Sequence, residues 1–128
     1  MHALIIEDEY LIAALVEDEL RSLGYDSFDI VDTYTAAIAA AERTCPDLIT
    51  ADDQLVEGSG IAAVAHICTA KTIPVVYILG DPHQPRDLLP FAYTTAKPFT
   101  LNMIAEAVAN AVDQAKHHRA VSSATTGL

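Results

Sequence analysis

The chain has 128 residues, 52% of them apolar and 20% charged, enough to bury about two thirds of the unfolded surface in one core and against the profile of a disordered protein. Seven Lys and Arg against eighteen Asp and Glu leave a net charge of −11, a sign that repels nucleic-acid phosphates and anionic membrane surfaces. No apolar run approaches membrane-spanning length.

The first apolar run, Ala3 to Ile6, is cut at once by Glu7, Asp8 and Glu9 and lacks a basic leader, so no secretory signal is read there and a cytoplasmic location is expected. In that compartment Cys45 and Cys68, each inside an apolar pattern, are expected to be reduced core residues. Ala3 to Ile6, Leu48 to Ala51 and Val75 to Leu79 read as strands buried on both faces of a parallel sheet, and the weaker runs Phe28 to Val31 and Phe91 to Ala96 bring the set to five. Between the strands lie helical stripes. Leu11, Ile12, Leu15, Leu20 and Leu23 form the first, stopped by Gly24. An alanine-rich segment around Ala36 to Glu42 forms the second, Ile61, Val64, Ala65 and Cys68 the third, and Leu101, Ile104, Ala105, Val108 and Val112 the last. Pro82, Pro85 and Pro90 interrupt the fourth connection, where a loop or at most two helical turns fit. The alternation predicts an α/β fold with a five-stranded parallel sheet, and a flavodoxin-like, doubly wound order, 2-1-3-4-5, is the expected one, since it sets the first and third strands side by side. The domain is expected over 1–117, with 118–128 as a flexible tail.

In such a sheet ligands bind beyond the carboxyl ends of the strands, where the order reverses. Glu7 and Asp8 follow the first strand, Asp52 follows the third and Lys97 the fifth. Acids also favour helix N-termini, but three in succession exceed that need. Carboxylates held about 4 Å apart repel by roughly 4 kcal/mol per pair at an effective dielectric near 20, so the cluster implies a hard cation, and Mg²⁺ suits it best. Such an ion beside Lys97 would neutralise charge as a carboxylate attacks a phosphoryl donor.

With LIIEDE at the first strand end, PDLITADDQLVEGSGI around the third and KPF after the fifth, the chain resembles bacterial response-regulator receiver domains from residue 2 to about 115. The resemblance implies that Asp52 is the phosphoacceptor, Glu7 and Asp8 the acidic pair, the backbone carbonyl of Gln54 a further metal ligand and Lys97 the family's lysine. The segment around Asp52, the proline-rich fourth connection and KPF resemble the FAT GUY subgroup, related to the PhyR receiver. That subgroup implies general stress signalling and histidine kinases of the HWE or HisKA_2 type.

Two positions depart from the family's pattern. Leu79 stands where receivers carry Thr or Ser, and Thr94 where they carry the aromatic switch, with Tyr93 one residue earlier and facing the opposite side of the strand. Leucine cannot donate a hydrogen bond, so a different signal path is expected, through the loop Gly80 to Pro90. His66, His83, His117 and His118 show no ligand pattern, and Tyr10, Phe28, Tyr77, Phe91 and Phe99 are read as packing residues. Lys97 before Pro98 suits a cis peptide.

The expected function is that of a single-domain response regulator in a two-component system or phosphorelay. It would accept a phosphoryl group from a histidine kinase or phosphotransfer protein, catalyse only its own phosphorylation and dephosphorylation, and act through a protein partner as a monomer or weak homodimer. The rival reading is a phosphorylation-independent adaptor, a pseudo-receiver. An aspartyl phosphohydrolase is disfavoured because the chain is too short to add a cap domain.

Overall fold

A computed structural model describes the backbone of residues 1–126 and the side chains of residues 1–122, in both cases apart from Pro82 and Pro85. The elements run β1 (His2–Ile6), α1 (Tyr10–Ser22), β2 (Ser27–Val31), α2 (Tyr34–Arg43), β3 (Leu48–Ala51), α3 (Gly60–Ile67), β4 (Val75–Leu79), β5 (Tyr93–Ala96) and α4 (Leu101–Thr126). All strand pairs are parallel, in the order β2-β1-β3-β4-β5. Two proline positions of the fourth connection lie outside the described residues, and the described ones between β4 and β5 form no helix.

Because strand side chains alternate, the central strands feed two cores. Leu4, Ile6, Ile49, Ala51, Val75, Tyr77 and Leu79 pack with Ala37 and Ala40 of α2 and Ala63 and Val64 of α3. Ala3, Ile5, Leu48, Val76 and Ile78 face Ala13, Val16 and Leu20 of α1 and Ile104, Ala107, Val108 and Ala111 of α4. Small residues on the helices let them sit close to the sheet, which is the doubly wound arrangement.

Local signals set the helix ends. The Gly24 N–H donates to the Arg21 carbonyl and the Tyr25 N–H to that of Leu20, while Gly24 takes φ +102°, a left-handed cap that only glycine enters freely. Thr33 and Ser59 cap α2 and α3, the first through Ala36 N–H and the second through Ile61 and Ala62 N–H.

Several expectations are corrected. α1 buries Ala13, Val16 and Leu20, whereas Leu11 is 75% exposed and Leu15 and Leu23 are also exposed. Leu20 and Ile12 of the expected stripe do pack inward, but Leu11 and Ala13 are two residues, about 200°, apart around the helix, so Leu11 and its neighbour Leu15 turn away from the packed face. In α3 the exposed Ala65 gives way to Ala63, and Leu101 of α4 is exposed. Tyr10 is exposed rather than packed, and Cys45 lies at the surface; both cysteines are free. The last helix also runs past the expected boundary at residue 117. The stretch from Lys116 to Thr126 contains neither Gly nor Pro, and α4 continues through Thr126, with Ala115 buried and the His118 ring 4.8 Å from that of Phe91.

Candidate functional site

Strand register brings the acids together before any side chain is considered. Ile6 is paired with Ala51, so Glu7 and Asp52 leave the sheet side by side, and the Asp52 N–H donates to the Ile6 carbonyl at 3.0 Å. Leu79 is paired with Ala96, and the Lys97 N–H extends that ladder to the Leu79 carbonyl at 2.8 Å. From β5 the Lys97 chain crosses the end of β4, where Gly80 has open space around it. The Lys97–Pro98 peptide is cis.

The Lys97 ammonium then lies 3.1 Å from Asp52 Oδ2 and 3.2 Å from Glu7 Oε1, with the three side chains 17%, 12% and 4% exposed respectively. The remaining oxygens are occupied by backbone donors: the Glu9 N–H reaches Glu7 Oε2 at 3.1 Å, and the Asp53 N–H reaches Asp52 Oδ1 at 2.7 Å. Asp8 is exposed at the rim, and one oxygen each from Glu7, Asp8 and Asp52 fall within 4.8 Å of one another. Three hard oxygen donors with one side open to solvent fit a divalent cation that keeps part of its water shell. Gln54 lies in the following turn, bridged to Ser59.

Burial pushes the Glu7 carboxyl up to about 7, with the neighbouring Asp52 charge adding to it and the Glu9 N–H and Lys97 opposing it. Burial alone would lower the Lys97 amine, but the Asp52 and Glu7 carboxylates hold it above its ordinary value. Without a cation, the folded protein keeps a proton on Glu7 that the unfolded chain releases. The corresponding stability is present at low pH and is lost as pH rises from 4.5 to about 7, by roughly 3 kcal/mol. In chelator, Glu7→Gln is therefore expected to be more stable than the native chain at pH 8 but not at pH 5, as read from urea unfolding. An equal difference at both pH values would contradict the placement of this charge.

The two departures have structural consequences. Leu79 is buried in the core on the α2 and α3 side and offers only its carbonyl, to Lys97. Thr94 is paired with Tyr77 of β4, and Tyr93 packs on the opposite face, toward α1 and α4. The aromatic ring on the Thr94 side therefore comes from β4. Tyr77 is fully buried, and its hydroxyl accepts a hydrogen bond from the Leu89 N–H, tying down the end of the β4–β5 loop.

Two further residues at the site escaped the sequence reading. Gly60, the first residue of α3, lies against the Asp52 backbone so closely that a Cβ there would meet the Asp52 carbonyl oxygen at 1.8 Å. The GSGI segment contained that glycine, but nothing in the order of residues told which glycine makes the close approach. Arg86, from the β4–β5 loop, pairs with Asp53; a single arginine 33 residues away along the chain gave no signal.

The chain matches the family model described as response regulator receiver domain over residues 3–89. It is 38% identical over 100 residues to the phyllosphere-induced regulator PhyR of Methylorubrum extorquens, a match covering 75% of this chain and 38% of that protein. Its fold matches the solution structure of the Erythrobacter litoralis PhyR receiver domain with a TM-score of 0.77 and 35% identity, over 87% of this chain and 88% of that one. PhyR of Bartonella quintana, described as an anti-anti-sigma factor, matches with a TM-score of 0.75 and 32% identity, over 98% of this chain and 51% of that one. The chain thus spans less than two thirds of the length of its curated relatives. Five parallel strands in the order 2-1-3-4-5, acids and a lysine gathered at their carboxyl ends, and this family match place the chain among the response regulator receiver domains.

Proposed function

We propose that this receiver accepts a phosphoryl group on Asp52 in a Mg²⁺-dependent reaction, within a bacterial stress-signalling pathway. The observation that carries the reading is the Lys97 ammonium held between the Asp52 and Glu7 carboxylates, at 3.1 and 3.2 Å, inside a three-acid group open to solvent on the Asp8 side.

Asp52 is aligned as the nucleophile. Its Oδ1 accepts the Asp53 N–H and its Oδ2 the Lys97 ammonium, so the side chain is held in one rotamer without a general base, which a carboxylate does not need. A new Oδ–P bond forms as the P–N bond of a phosphohistidine or the P–O bond of an acyl phosphate breaks, and the donor departs with the bonding pair. Lys97 is placed to follow the growing negative charge on the transferred oxygens. Mg²⁺, held by Glu7, Asp8, Asp52 and the Gln54 carbonyl, supplies charge neutralisation when bound. The reaction modifies the protein itself and turns over no external metabolite. Histidine kinases, of the HWE or HisKA_2 type, or phosphotransfer proteins are the donors that fit, and the similarity to an anti-anti-sigma factor favours a protein partner in sigma-factor control. A cytoplasmic site of action accords with the absence, among the described residues, of a helix long and apolar enough to cross a membrane.

Phosphoryl incorporation from a small acyl phosphate tests the proposal. Labelling is expected in Mg²⁺ and is expected to fall to background in chelator, because Lys97 alone then offsets the charge of the acidic group that the anionic donor must approach. Labelling that proceeds equally well in chelator would remove the metal from the reaction. Leu79 and Thr94, which occupy the two usual switch positions, favour the adaptor reading; a native chain that neither binds Mg²⁺ nor takes label would support it.

A further inference from the structure

The β4–β5 loop is fastened to the residue that follows Asp52. Arg86 Nε donates to Asp53 Oδ2 at 2.8 Å, its Nη1 donates to the carbonyls of Asp81 and Gln84, and Nη2 lies 3.4 Å from Gln84 Oε1. The side chain is only 10% exposed, although it belongs to a loop. The other oxygen of Asp53 accepts from Ser59, the cap of α3, and the Asp53 N–H is the one that holds Asp52 Oδ1. One guanidinium thus ties the carbonyls of a proline-rich loop to the peptide unit that orients the nucleophile. A planar fork can serve both directions at once; a lysine ammonium on the same stem has no such geometry.

We propose that Arg86 is the residue that couples the state of Asp52 to the β4–β5 loop, in place of the hydroxyl that Leu79 lacks. The inference rests on the phosphoacceptor reading and adds to it a named positioning residue. Phosphorylation raises the negative charge beside Asp53 by roughly one unit and adds acceptor oxygens. Arg86 is the nearest cation bonded to this turn apart from Lys97, which already serves Asp52 and Glu7. As the guanidinium turns from Asp53 toward the phosphoryl oxygens, its bonds to the Asp81 and Gln84 carbonyls are given up, and the loop is released between Arg86 and its second anchor, the Leu89 N–H on Tyr77.

The test is amide hydrogen exchange at Gln84 and Leu89, whose N–H groups donate to the Asp81 carbonyl and the Tyr77 hydroxyl, in the full chain, with and without labelling by a small acyl phosphate in Mg²⁺. It is run for the native protein, Arg86→Gln, Arg86→Lys and Asp53→Asn, with urea unfolding to show that each variant folds. In the native protein exchange is expected to rise about tenfold on labelling, the effect of releasing one charge-assisted hydrogen bond. In Arg86→Gln and Asp53→Asn the rise is expected to shrink to less than about twofold while label is still incorporated, and Arg86→Lys is expected to behave like the glutamine variant, since charge without the fork does not suffice. A labelled native protein whose loop exchange is unchanged or slower overturns the coupling alone. So does a full rise that persists in Arg86→Gln, which would leave Arg86 as a loop anchor. A native protein that takes no label overturns the phosphoacceptor reading, and the coupling falls with it.

Discussion

Asp52→Asn is expected to reduce phosphoryl incorporation by at least about a hundredfold, because the amide oxygen that replaces the carboxylate is a far weaker nucleophile and carries no charge for Lys97 to balance. The substitution is nearly isosteric: the single amide oxygen keeps the Asp53 N–H, while Lys97, which loses its acceptor on residue 52, retains its pair with Glu7. The fold is therefore expected to survive. Removing the Asp52 charge relieves one of the causes that raise the Glu7 carboxyl, and it also takes from Lys97 the partner that most raises its amine. The measurement pairs labelling of the native and variant chains with hydroxylamine sensitivity of the label, which identifies an acyl phosphate. Undiminished incorporation in the folded variant would move the acceptor to another acid, with Asp8 and Asp53 the first to examine.

Gly60→Ala is expected to cost about 3 kcal/mol or more of stability and to impair labelling in whatever protein remains folded. A Cβ at this position would stand 1.8 Å from the Asp52 carbonyl oxygen and 3.0 Å from its carbon. Both neighbours are backbone, so relief requires α3 to back away from the end of β3. The Gly60 N–H, which donates to the Asp53 carbonyl at 2.9 Å, would move with it, and the turn that carries Asp52 would lose its alignment. Gly58→Ala makes a useful comparison. That position has φ +83° and the Tyr34 Cβ at 2.7 Å, so it is also expected to be destabilised, but the neighbour there is a side chain and the Asp52 turn is not the obstacle. Urea unfolding midpoints for the two variants, read beside label incorporation, separate the contributions. A Gly60→Ala chain with native stability and native labelling would show that α3 can retreat freely from the phosphoacceptor turn.

The cluster of Glu7, Asp8, Asp52 and Lys97 was legible before any coordinates because each residue directly follows a short apolar run, and parallel pairing forces the ends of such runs to one edge of the sheet. The strands were legible for the same reason: Leu48–Ala51 and Val75–Leu79 coincide with the expected segments. The inward faces of α3 and α4 were largely legible too, through Ile61, Val64, Ile104 and Val108, whereas that of α1 was legible only in part. α1 has more large apolar residues than one contact can bury, and which of them go inward depends on how closely Ala13 can approach the sheet while α4 presents Ala107 and Ala111. Composition ranks leucine above alanine as a core residue, and packing reversed that order for Leu11 and Leu15 against Ala13, while Leu20 is buried as expected. The last helix outran its expected end because polar residues such as His118 and Arg119 were read as a tail, although the stretch contains no helix breaker and Phe91 offers a surface for His118.

Periodicity, charge and the spacing of a few acids and one lysine were sufficient for the α/β class and the reactive edge, since those follow from local propensity and from the common direction of parallel strands. Contacts between distant segments were not contained in that information. The closeness of Gly60 to the Asp52 carbonyl, the Arg86–Asp53 pair and the Tyr77 hydroxyl under Leu89 each depend on distances set by packing three or more elements at once, and no pattern along a single segment encodes such a distance.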